Sequence, residues 1–280
     1  MDTIQKLQNL DTLPTIPLTV QKVLQALERE DISAKELEEI IKDDQALAAK
    51  ILKVSNSPLY RGGQPVVSLR QAVMRLGFVE VKNITLALAL TQFIDNHQPF
   101  EGFDLNGLWL HAVVTARTAE YLAKEIGQDP EALYTAGLLH DIGRFVTCLY
   151  LPEDFSRLLK VARERALSLT EAEEILGISH EEIGAYLAES WNFPEPIVRA
   201  IGFHHRPSQA KEDVHMAGAI YVADAISYLL GLGGDPWRKQ TTLKVPRSLG
   251  LSLDVIKKVA RRLAQEKEDL VLAWGTVFTA

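Results

Sequence analysis

The heptapeptide Gly137-Leu138-Leu139-His140-Asp141-Ile142-Gly143 decides how this chain is interpreted, because it sets a His beside an Asp inside an apolar, helix-forming run. Both side chains are metal-ligand types, and neither belongs unpaired in a hydrophobic core. Adjacent residues of a helix point about 100° apart. Both can therefore reach an ion only if it lies over the shoulder of the helix and other segments supply the remaining ligands.

The composition restricts the classes of protein to which this chain can belong. Of the 280 residues, 47% are hydrophobic and 24% are charged, which is typical of a globular protein without disorder. The net charge of −7 argues against nucleic acid as a partner, because phosphate contacts require a basic surface. The single cysteine, Cys148, lies in an apolar stretch, and we expect it to be a buried, inert core residue.

The predicted location is the cytoplasm. Charged residues at Asp2, Lys6 and Asp11 interrupt the N-terminus, so no signal peptide is visible. The longest apolar stretch, residues 84–94, contains polar residues and is well short of the ~20 residues that a membrane span needs. A single cysteine also fits a reducing compartment. We expect a soluble protein that does not associate with membranes.

The first third of the chain reads as five short helices with no strand pattern. Ser33 and Glu36 form a capping-box pattern, and Ser68 is a second expected N-cap. Residues 79–93 are apolar almost all round, which is typical of a buried helix. These features predict a helical packing module.

No residue of this third is assigned any chemistry. Asn56 and Ser57 are interpreted as caps at a helix end. Asp43 and Asp44 are interpreted as a solvated charge pair.

Helical patterns continue to the end of the chain, so we predict an all-α fold class. Turn signals divide the chain into an N-terminal helical subdomain, a linker, a metal-binding subdomain and a C-terminal loop with a helical tail, at residues 1–95, 96–107, 108–232 and 233–280. Within the tail, residues 252–268 predict a helix with a basic, solvated face.

Five of the seven histidines fall between His111 and His205. His111 lies on or beside the apolar face of a helix predicted over residues 108–126, a place where a histidine is more often a satisfied core residue than a ligand. His180 lies inward-facing in the first turn of another helix. His204 and His205 end a helix, where they could bind separate ions or serve as dipole-favoured caps.

Asp224 is the remaining signal, because it is the only charge on the apolar face of its helix and a buried carboxylate needs a cation or several donors. Together the ligand-type residues form one set: His111, His140, Asp141, His180, His204, His205 and Asp224. Five imidazoles and two carboxylates exceed the needs of one six-coordinate ion. They suit two divalent transition ions (Fe, Mn, Ni or Zn) with Asp141 as the bridge. His97 and His215 lie outside the set and are interpreted as surface or cap residues.

The order of these residues resembles a known signature. His111, then His140-Asp141, then Asp224 is similar to the HD superfamily of metal-dependent phosphohydrolases. The additional His180 and His204-His205 resemble the enlarged bimetal set of the HD-GYP branch, the cyclic-di-GMP phosphodiesterases.

The N-terminal third resembles the HDOD family of bacterial signalling proteins. The similarity rests on four stretches, namely Leu13-Pro14-Thr15-Ile16-Pro17, Asp44 with Ala46 to Leu52, Asn56-Ser57, and Ala72 to Gly77. It runs from about Leu13 to Leu230. It implies an N-terminal helical bundle packed on an HD-superfamily helical core. It also implies a role in signal output or regulation, with a signalling protein or a small phosphorylated ligand as partner.

The departures from these families also carry predictions. HD-GYP enzymes continue with Glu and a Gly-Tyr-Pro loop, whereas this chain reads Arg206-Pro207-Ser208-Gln209, which argues against cyclic-di-GMP as a substrate. The third-metal Glu of some members is Gly107 here, so at most two ions are expected. The Lys that follows the HD motif in many active members is Arg144, which could hold a phosphate bidentately.

Two functions of different classes follow from the sequence. The first is a phosphohydrolase that uses two ions to activate water, with Asp141 and Arg144 as catalytic residues and Arg206 assisting. On sequence alone, however, each arginine is more often a surface or ion-pair residue. The second is a non-catalytic signalling module with a structural or ligand-sensing metal site, which the missing Gly-Tyr-Pro loop favours. An open coordination position beside a polar cleft would indicate catalysis, and a shell closed by protein side chains would indicate structure.

Overall fold

The fold is described from a computed structural model, which covers residues 15–60, 62–91, 100–238 and 249–275, together with Gln5, Leu7 and Val245. Throughout these residues the regular secondary structure is helical, which confirms the predicted all-α class. The chain divides into two compact units. The central unit comprises residues 1–14 and 97–263, and the N-terminal unit comprises residues 15–96 and 264–280. The subdomain limits drawn from the sequence stay a prediction.

Among its described residues between 18 and 91, the N-terminal unit contains five α-helices: α1 (Leu18–Leu27), α2 (Ala34–Ile41), α3 (Gln45–Ser55), α4 (Leu69–Leu76) and α5 (Phe78–Thr91). Ser33 caps α2 through the predicted capping box with Glu36, and the Ser68 side chain caps α4. Both caps stabilise their helices by satisfying backbone N–H groups that have no partner inside the helix.

Two polar residues of this unit do more than the sequence suggested. Asp44 is the N-cap of α3, where its side chain accepts the backbone N–H of Leu47 at 3.0 Å. Asp44 thus has a capping role in addition to the expected place in a solvated Asp43–Asp44 pair, and it is half-buried. Asn56 caps the end of α3 and also exchanges hydrogen bonds with both backbone groups of Val66, so it ties the following loop to the helix.

The central unit contains the helices of the histidine-rich region: α6 (Leu105–Ile126), α7 (Pro130–Leu139), α8 (Ile142–Tyr150), α9 (Pro152–Arg165), α10 (Leu169–Leu176), α11 (His180–Ser190), α12 (Glu195–Phe203) and α13 (Val214–Leu229). Helix α6 begins three residues before its predicted start, because Asp104 caps it by accepting the backbone N–H of Asn106. Helix α14 (Leu253–Gly275) is longer than predicted and continues past residue 268.

A break separates α7 from α8 at the heptapeptide that decides the fold. The sequence predicted a helix from Pro130 to His140 and Asp141, whereas α7 ends at Leu139 with His140 as its C-cap. Asp141 has φ −100° and ψ 12°, outside helical geometry, and it begins α8 as the N-cap residue. The break removes the 100° separation that a continuous helix would impose on the two side chains.

Two further expectations concern residues outside the histidine set. His215 is exposed in the first turn of α13, as predicted, whereas His97 lies outside the described residues. Over the part of the chain that the structure covers, no helix has both the length and the hydrophobicity to cross a membrane. Location in the cytoplasm stays a prediction.

Cys148 is buried on α8, as predicted, and this burial raises the pKa of its thiol to about 12. Because only the thiolate is nucleophilic, we expect no reaction of the native protein with iodoacetamide at pH 8 and one equivalent of labelling after unfolding in guanidinium. Mass spectrometry of both samples measures this. Native labelling at the rate of a free thiol would contradict the buried position.

Gly143 allows α8 to pack directly on α11. A Cβ atom on Gly143 would lie 2.0 Å from the backbone oxygen of His180, so the two helices would have to separate. We expect Gly143→Ala to destabilise the protein by roughly 3 kcal/mol, the upper end of the range for overpacked cores. Gly202→Ala is the control, since its nearest contact is a single methyl at 3.2 Å, and thermal unfolding compares the two. Equal melting temperatures would contradict the close approach.

Candidate metal centre

The predicted ligand residues come together within the central unit. They lie on α6, at the α7–α8 break, at the start of α11, just after α12 and on α13, in the order His111, His140, Asp141, His180, His204, His205 and Asp224. Two groups have ligand atoms within 4.8 Å of one another: His111 with His140 and Asp141, and His180 with His204 and His205. Each group has the composition of a site that could hold a metal ion.

The carboxylate of Asp141 lies between the two groups. Its Oδ2 is 3.4 Å from Nε2 of His140 and 3.9 Å from Nε2 of His111, and its Oδ1 is 3.3 Å from Nε2 of His180. Asp224 extends the first group, with Oδ1 3.2 Å from Nε2 of His111. Atoms that share one ion at bond lengths of about 2.1 Å are separated by about 3–4 Å, so these distances suit common coordination.

Hydrogen bonds at Nδ1 set the direction in which three of the imidazoles face the site. In each case Nδ1 donates to a backbone carbonyl, because a carbonyl can only accept: His111 to Leu232 at 2.8 Å, His140 to Gly137 at 2.7 Å and His204 to Ile201 at 2.8 Å. In the neutral ring, the proton at Nδ1 leaves the lone pair on Nε2. The three rings therefore present Nε2 to the site, as metal-binding histidines do.

The ring of His180 is oriented in the same way, but the group that contacts its Nδ1 is a carboxylate instead of a backbone carbonyl. Its Nδ1 contacts Glu173 on α10, and its Nε2 lies 3.2 Å from Nε2 of His204. No prediction from the sequence covered Glu173 or any other part of α10. The signal was present, because Ser168 and Glu171 form a capping box and Glu173 then falls among apolar positions of the helix.

Unsatisfied nitrogens show that the pocket fits a cation. Nε2 of His140 and Nε2 of His205 are buried and have no hydrogen-bond partner among the described residues. Burial of an unpaired polar atom is unfavourable, so each nitrogen requires a further partner. A divalent transition ion is the partner that the nitrogen and oxygen donors around them prefer.

The protonation states also suit metal binding. Burial, together with the neighbouring imidazoles, holds the pKa values of His204 and His205 well below the ordinary value, so both rings are neutral at physiological pH. Burial opposes ionisation of Asp141, but Arg144 and His140 prevail and hold its pKa well below the ordinary value. His204 and His205 are therefore neutral imidazoles and Asp141 is an ionised carboxylate, which are the ligand forms that metal ions require.

Arg144 is the cation that keeps Asp141 ionised. Its Nη1 lies 2.8 Å from both oxygens of Asp141, its Nε donates to Glu173 at 3.1 Å, and its Nη2 donates to Thr170 at 2.9 Å. Only 5% of the residue is exposed. Of the two sequence interpretations, the ion-pair one describes this geometry and the surface one does not. All three guanidinium nitrogens of Arg144 are thus engaged within the protein, which disfavours contact with a phosphate.

Glu181 also has a role that the sequence did not reveal. It was assigned only a favourable interaction with the dipole of α11, but its side chain is buried and accepts the backbone N–H of His205 at 3.1 Å. Its other oxygen accepts from Arg206 at 3.0 Å. Glu181 thus fixes the chain just after α12, where the adjacent histidines lie.

The segment of residues 231–238, here called the strap, follows α13 and was predicted only as a loop. Its Leu232 carbonyl is the acceptor for His111, and its Arg238 places Nη1 at 2.9 and 2.8 Å from the two oxygens of Asp224. Asp235 joins the strap to α10 by accepting the backbone N–H of Leu169 at 2.7 Å. An irregular segment has no periodicity from which a sequence pattern could assign these contacts.

A polar cavity of about 600 Å³ lies beside the histidines. His205 of the ligand set lines it, together with Glu173 and Arg238. Its remaining wall is polar and largely acidic, with hydroxyl groups from the segment around Thr170. The centre is therefore bordered by a cleft that a small molecule can occupy.

Comparison with known proteins gives the family context. Residues 13–207 match the HDOD domain. A curated relative is the ribonuclease Y of Thermus thermophilus, 28% identical over 206 residues that make up 71% of this chain and 29% of that enzyme. The chain spans less than half of the curated relatives that it matches first.

Two solved structures reproduce the fold over nearly the whole chain. An HDOD-domain protein of unknown function from Geobacter sulfurreducens is 26% identical, with 98% of this chain and 95% of that chain covered at a TM-score of 0.76. A candidate phosphohydrolase from Shewanella amazonensis is also 26% identical, with 98% and 97% covered at a TM-score of 0.74. With the domain match extending over residues 13–207, well over half of its length, the chain belongs to the HDOD family.

Proposed function

We propose that this protein is a metal-dependent phosphohydrolase that acts on a small phosphoester. One observation carries the proposal: a convergent set of histidine and aspartate ligand atoms borders an open polar cavity of about 600 Å³. A structural metal site is closed by protein side chains, whereas a catalytic site keeps access for water and substrate. The cleft therefore supports catalysis over a purely structural site.

The ligand set suits two divalent transition ions, such as Fe, Mn, Ni or Zn. His111, His140 and Asp224 would hold one ion, and His180, His204 and His205 the other, with Asp141 shared between them. When bound, such ions lower the pKa of water and neutralise charge on phosphoryl oxygens.

The protein's own residues prepare the centre for this chemistry. Arg144 keeps Asp141 ionised, and its further bond to Glu173 links the shared carboxylate to the residue that orients His180. Outer partners of this kind fix ring orientation and tune ligand basicity. In this arrangement Asp141 would be a ligand of the ions, and Arg144 would act through Asp141 instead of contacting the substrate.

The charge of the cavity bears on the substrate. Five glutamates line it, and the whole chain has a net charge of −7. A long polyanion would be repelled by such a wall, while a small phosphoester can be compensated by a few local cations. The Shewanella relative, named as a candidate phosphohydrolase, and the Thermus ribonuclease Y support the reaction class.

A second candidate function is a regulatory module that binds a signalling protein or a small phosphorylated ligand without turnover. The observation that favours it is that both carboxylates of the ligand set have guanidinium partners, Asp141 with Arg144 and Asp224 with Arg238. In that role the centre would sense a metal or ligand, and the N-terminal unit would bind the partner.

Metal content and hydrolysis test the proposal together. We expect about two equivalents of transition metal in the purified protein and hydrolysis of p-nitrophenyl phosphate, its bis ester or a nucleotide. His140→Ala and His204→Ala remove one ligand from each group. Each should lower activity by more than about 100-fold, because even outer partners of metal ligands cost about 10–100-fold. Elemental analysis and a phosphate-release assay measure these quantities.

His215→Ala is the matched control for the two histidine variants, since His215 is exposed and lies outside the ligand set. It should keep both metal and activity. Metal without hydrolysis of any phosphoester would favour the regulatory candidate. A parent that binds no metal after reconstitution with Fe, Mn, Ni and Zn would overturn the proposed centre.

Glu173→Gln tests the outer partner of His180. The substitution keeps the side-chain size but removes the charge that receives Nδ1 of His180 and pairs with Arg144. We expect metal binding to weaken about 10–100-fold, measured by competition with a chelator. Glu174→Gln, at the exposed neighbouring position, should bind metal like the parent. Equal affinities for the two variants would show that Glu173 does not support the centre.

A further inference from the structure

Arg238 forms an ion pair with Asp224, whose carboxylate also belongs to the metal-ligand set. Its Nη1 lies 2.9 and 2.8 Å from the two oxygens of Asp224, while His111 approaches Oδ1 of the same carboxylate at 3.2 Å. Asp224 is buried, and its pKa is held well below the ordinary value because His111 and Arg238 outweigh the effect of burial. A guanidinium and a divalent ion are both cations, so they compete for Asp224.

The strap holds Arg238 at the edge of the cavity. Upstream, the strap is fixed by the Leu232 carbonyl and by Asp235, which also accepts the backbone N–H of Trp237 at 2.9 Å. Gly233 packs closely against Tyr228, since a Cβ at Gly233 would lie 2.2 Å from that ring. The backbone is thus anchored just before the arginine, while the guanidinium lies at the cavity wall.

The guanidinium of Arg238 has donors that remain available. Within the described residues, both hydrogen bonds of its side chain run from Nη1 to Asp224. It also lies over the ring of Tyr228, with Cζ 4.8 Å from the ring centroid, and its side chain is 21% exposed. A planar guanidinium with donors open to a cleft is suited to bidentate contact with phosphate.

The other arginines near the centre are less suited to this role. Arg144 donates from Nε, Nη1 and Nη2 to Glu173, Asp141 and Thr170 and is buried. Arg206 is paired with the buried carboxylate of Glu181, which supports the site but is not a member of the ligand set. Arg238, like Arg144, pairs with a carboxylate that a metal ion would claim, but unlike Arg144 it is partly exposed and lines the cavity.

We propose that Arg238 is the phosphoryl-binding residue of the cavity. Its ion pair with Asp224 prevents this binding until a divalent ion binds Asp224. In the metal-free protein, Asp224 neutralises Arg238 and repels an anion. With an ion on Asp224, the guanidinium is released and binds the phosphoryl group of the ligand. Metal binding and phosphate binding are therefore positively coupled, and the coupling is reciprocal. This inference rests on the proposed metal-dependent function.

The test is isothermal titration of inorganic phosphate into the full chain, first free of metal and then loaded with Zn²⁺. We expect phosphate to bind the loaded parent at least about 10-fold more tightly, within the range of typical coupling energies. Arg238→Ala should lose phosphate affinity by about 10-fold or more in the loaded state. It should also bind Zn²⁺ more tightly than the parent in chelator competition, because the competing cation is gone.

Two further variants sharpen the test. Arg238→Lys keeps the charge beside Asp224 but not the fork, so Zn²⁺ affinity should stay near the parent while phosphate affinity falls. It preserves the test if the alanine variant does not fold. Arg157→Ala is the matched control, since Arg157 also pairs with an aspartate, Asp154, but lies outside the cavity wall. It should bind Zn²⁺ and phosphate like the parent.

The outcomes separate this inference from the proposed function. Parental Zn²⁺ and phosphate affinities in Arg238→Ala would overturn it even if the parent binds metal and hydrolyses phosphoesters. Equal phosphate affinity with and without Zn²⁺ would overturn the coupling. Loss of phosphate binding in Arg206→Ala alone would assign the role to that arginine. A parent that binds no Zn²⁺ would overturn the proposed function and this inference together.

Discussion

The buried carboxylate of Asp141 is the charge on which the centre of this protein depends. An isolated ionised carboxylate in a protein interior costs more than the 5–15 kcal/mol by which a domain is stable, so it requires a partner. Arg144 is that partner, and Glu173 and Thr170 hold the rest of its guanidinium. Removing one member of such a buried pair typically costs about 3–5 kcal/mol. The α7–α8 break, the position of α10 and the orientation of His180 are consequently fixed together.

Helix ends provide the other constraint. The last carbonyls of an α-helix have no partner within the helix, and at two ends in this protein a histidine supplies one. His140 donates to Gly137 near the end of α7, and His204 donates to Ile201 near the end of α12. The hydrogen bond that completes each helix also turns Nε2 of the ring toward the centre. Helix termination and ligand orientation are thus one interaction.

Fold membership and site chemistry answer different questions for this chain. The HDOD domain match and the all-helical neighbours assign the family, but a fold hosts many functions and the reaction must be argued from the site. Here the site combines ligand atoms around Asp141, a cleft with access to His205, and an arginine at Asp224. In the proposed function, these three features would connect metal binding, phosphoester chemistry and control by a guanidinium in one small volume.

The sequence by itself determined the helical class, the caps at Ser33 and Ser68 and the identity of the seven ligand-type residues, because periodicity, capping and buried polar side chains are local signals. Only the tertiary structure decided that the helix breaks at Asp141 and that Glu173 orients His180. It also decided that the strap brings Arg238 onto Asp224. These contacts join residues from separate helices or an irregular segment. Such contacts form because buried charges must be paired in three dimensions. The paired residues follow no periodic pattern along the sequence, so the sequence does not reveal them.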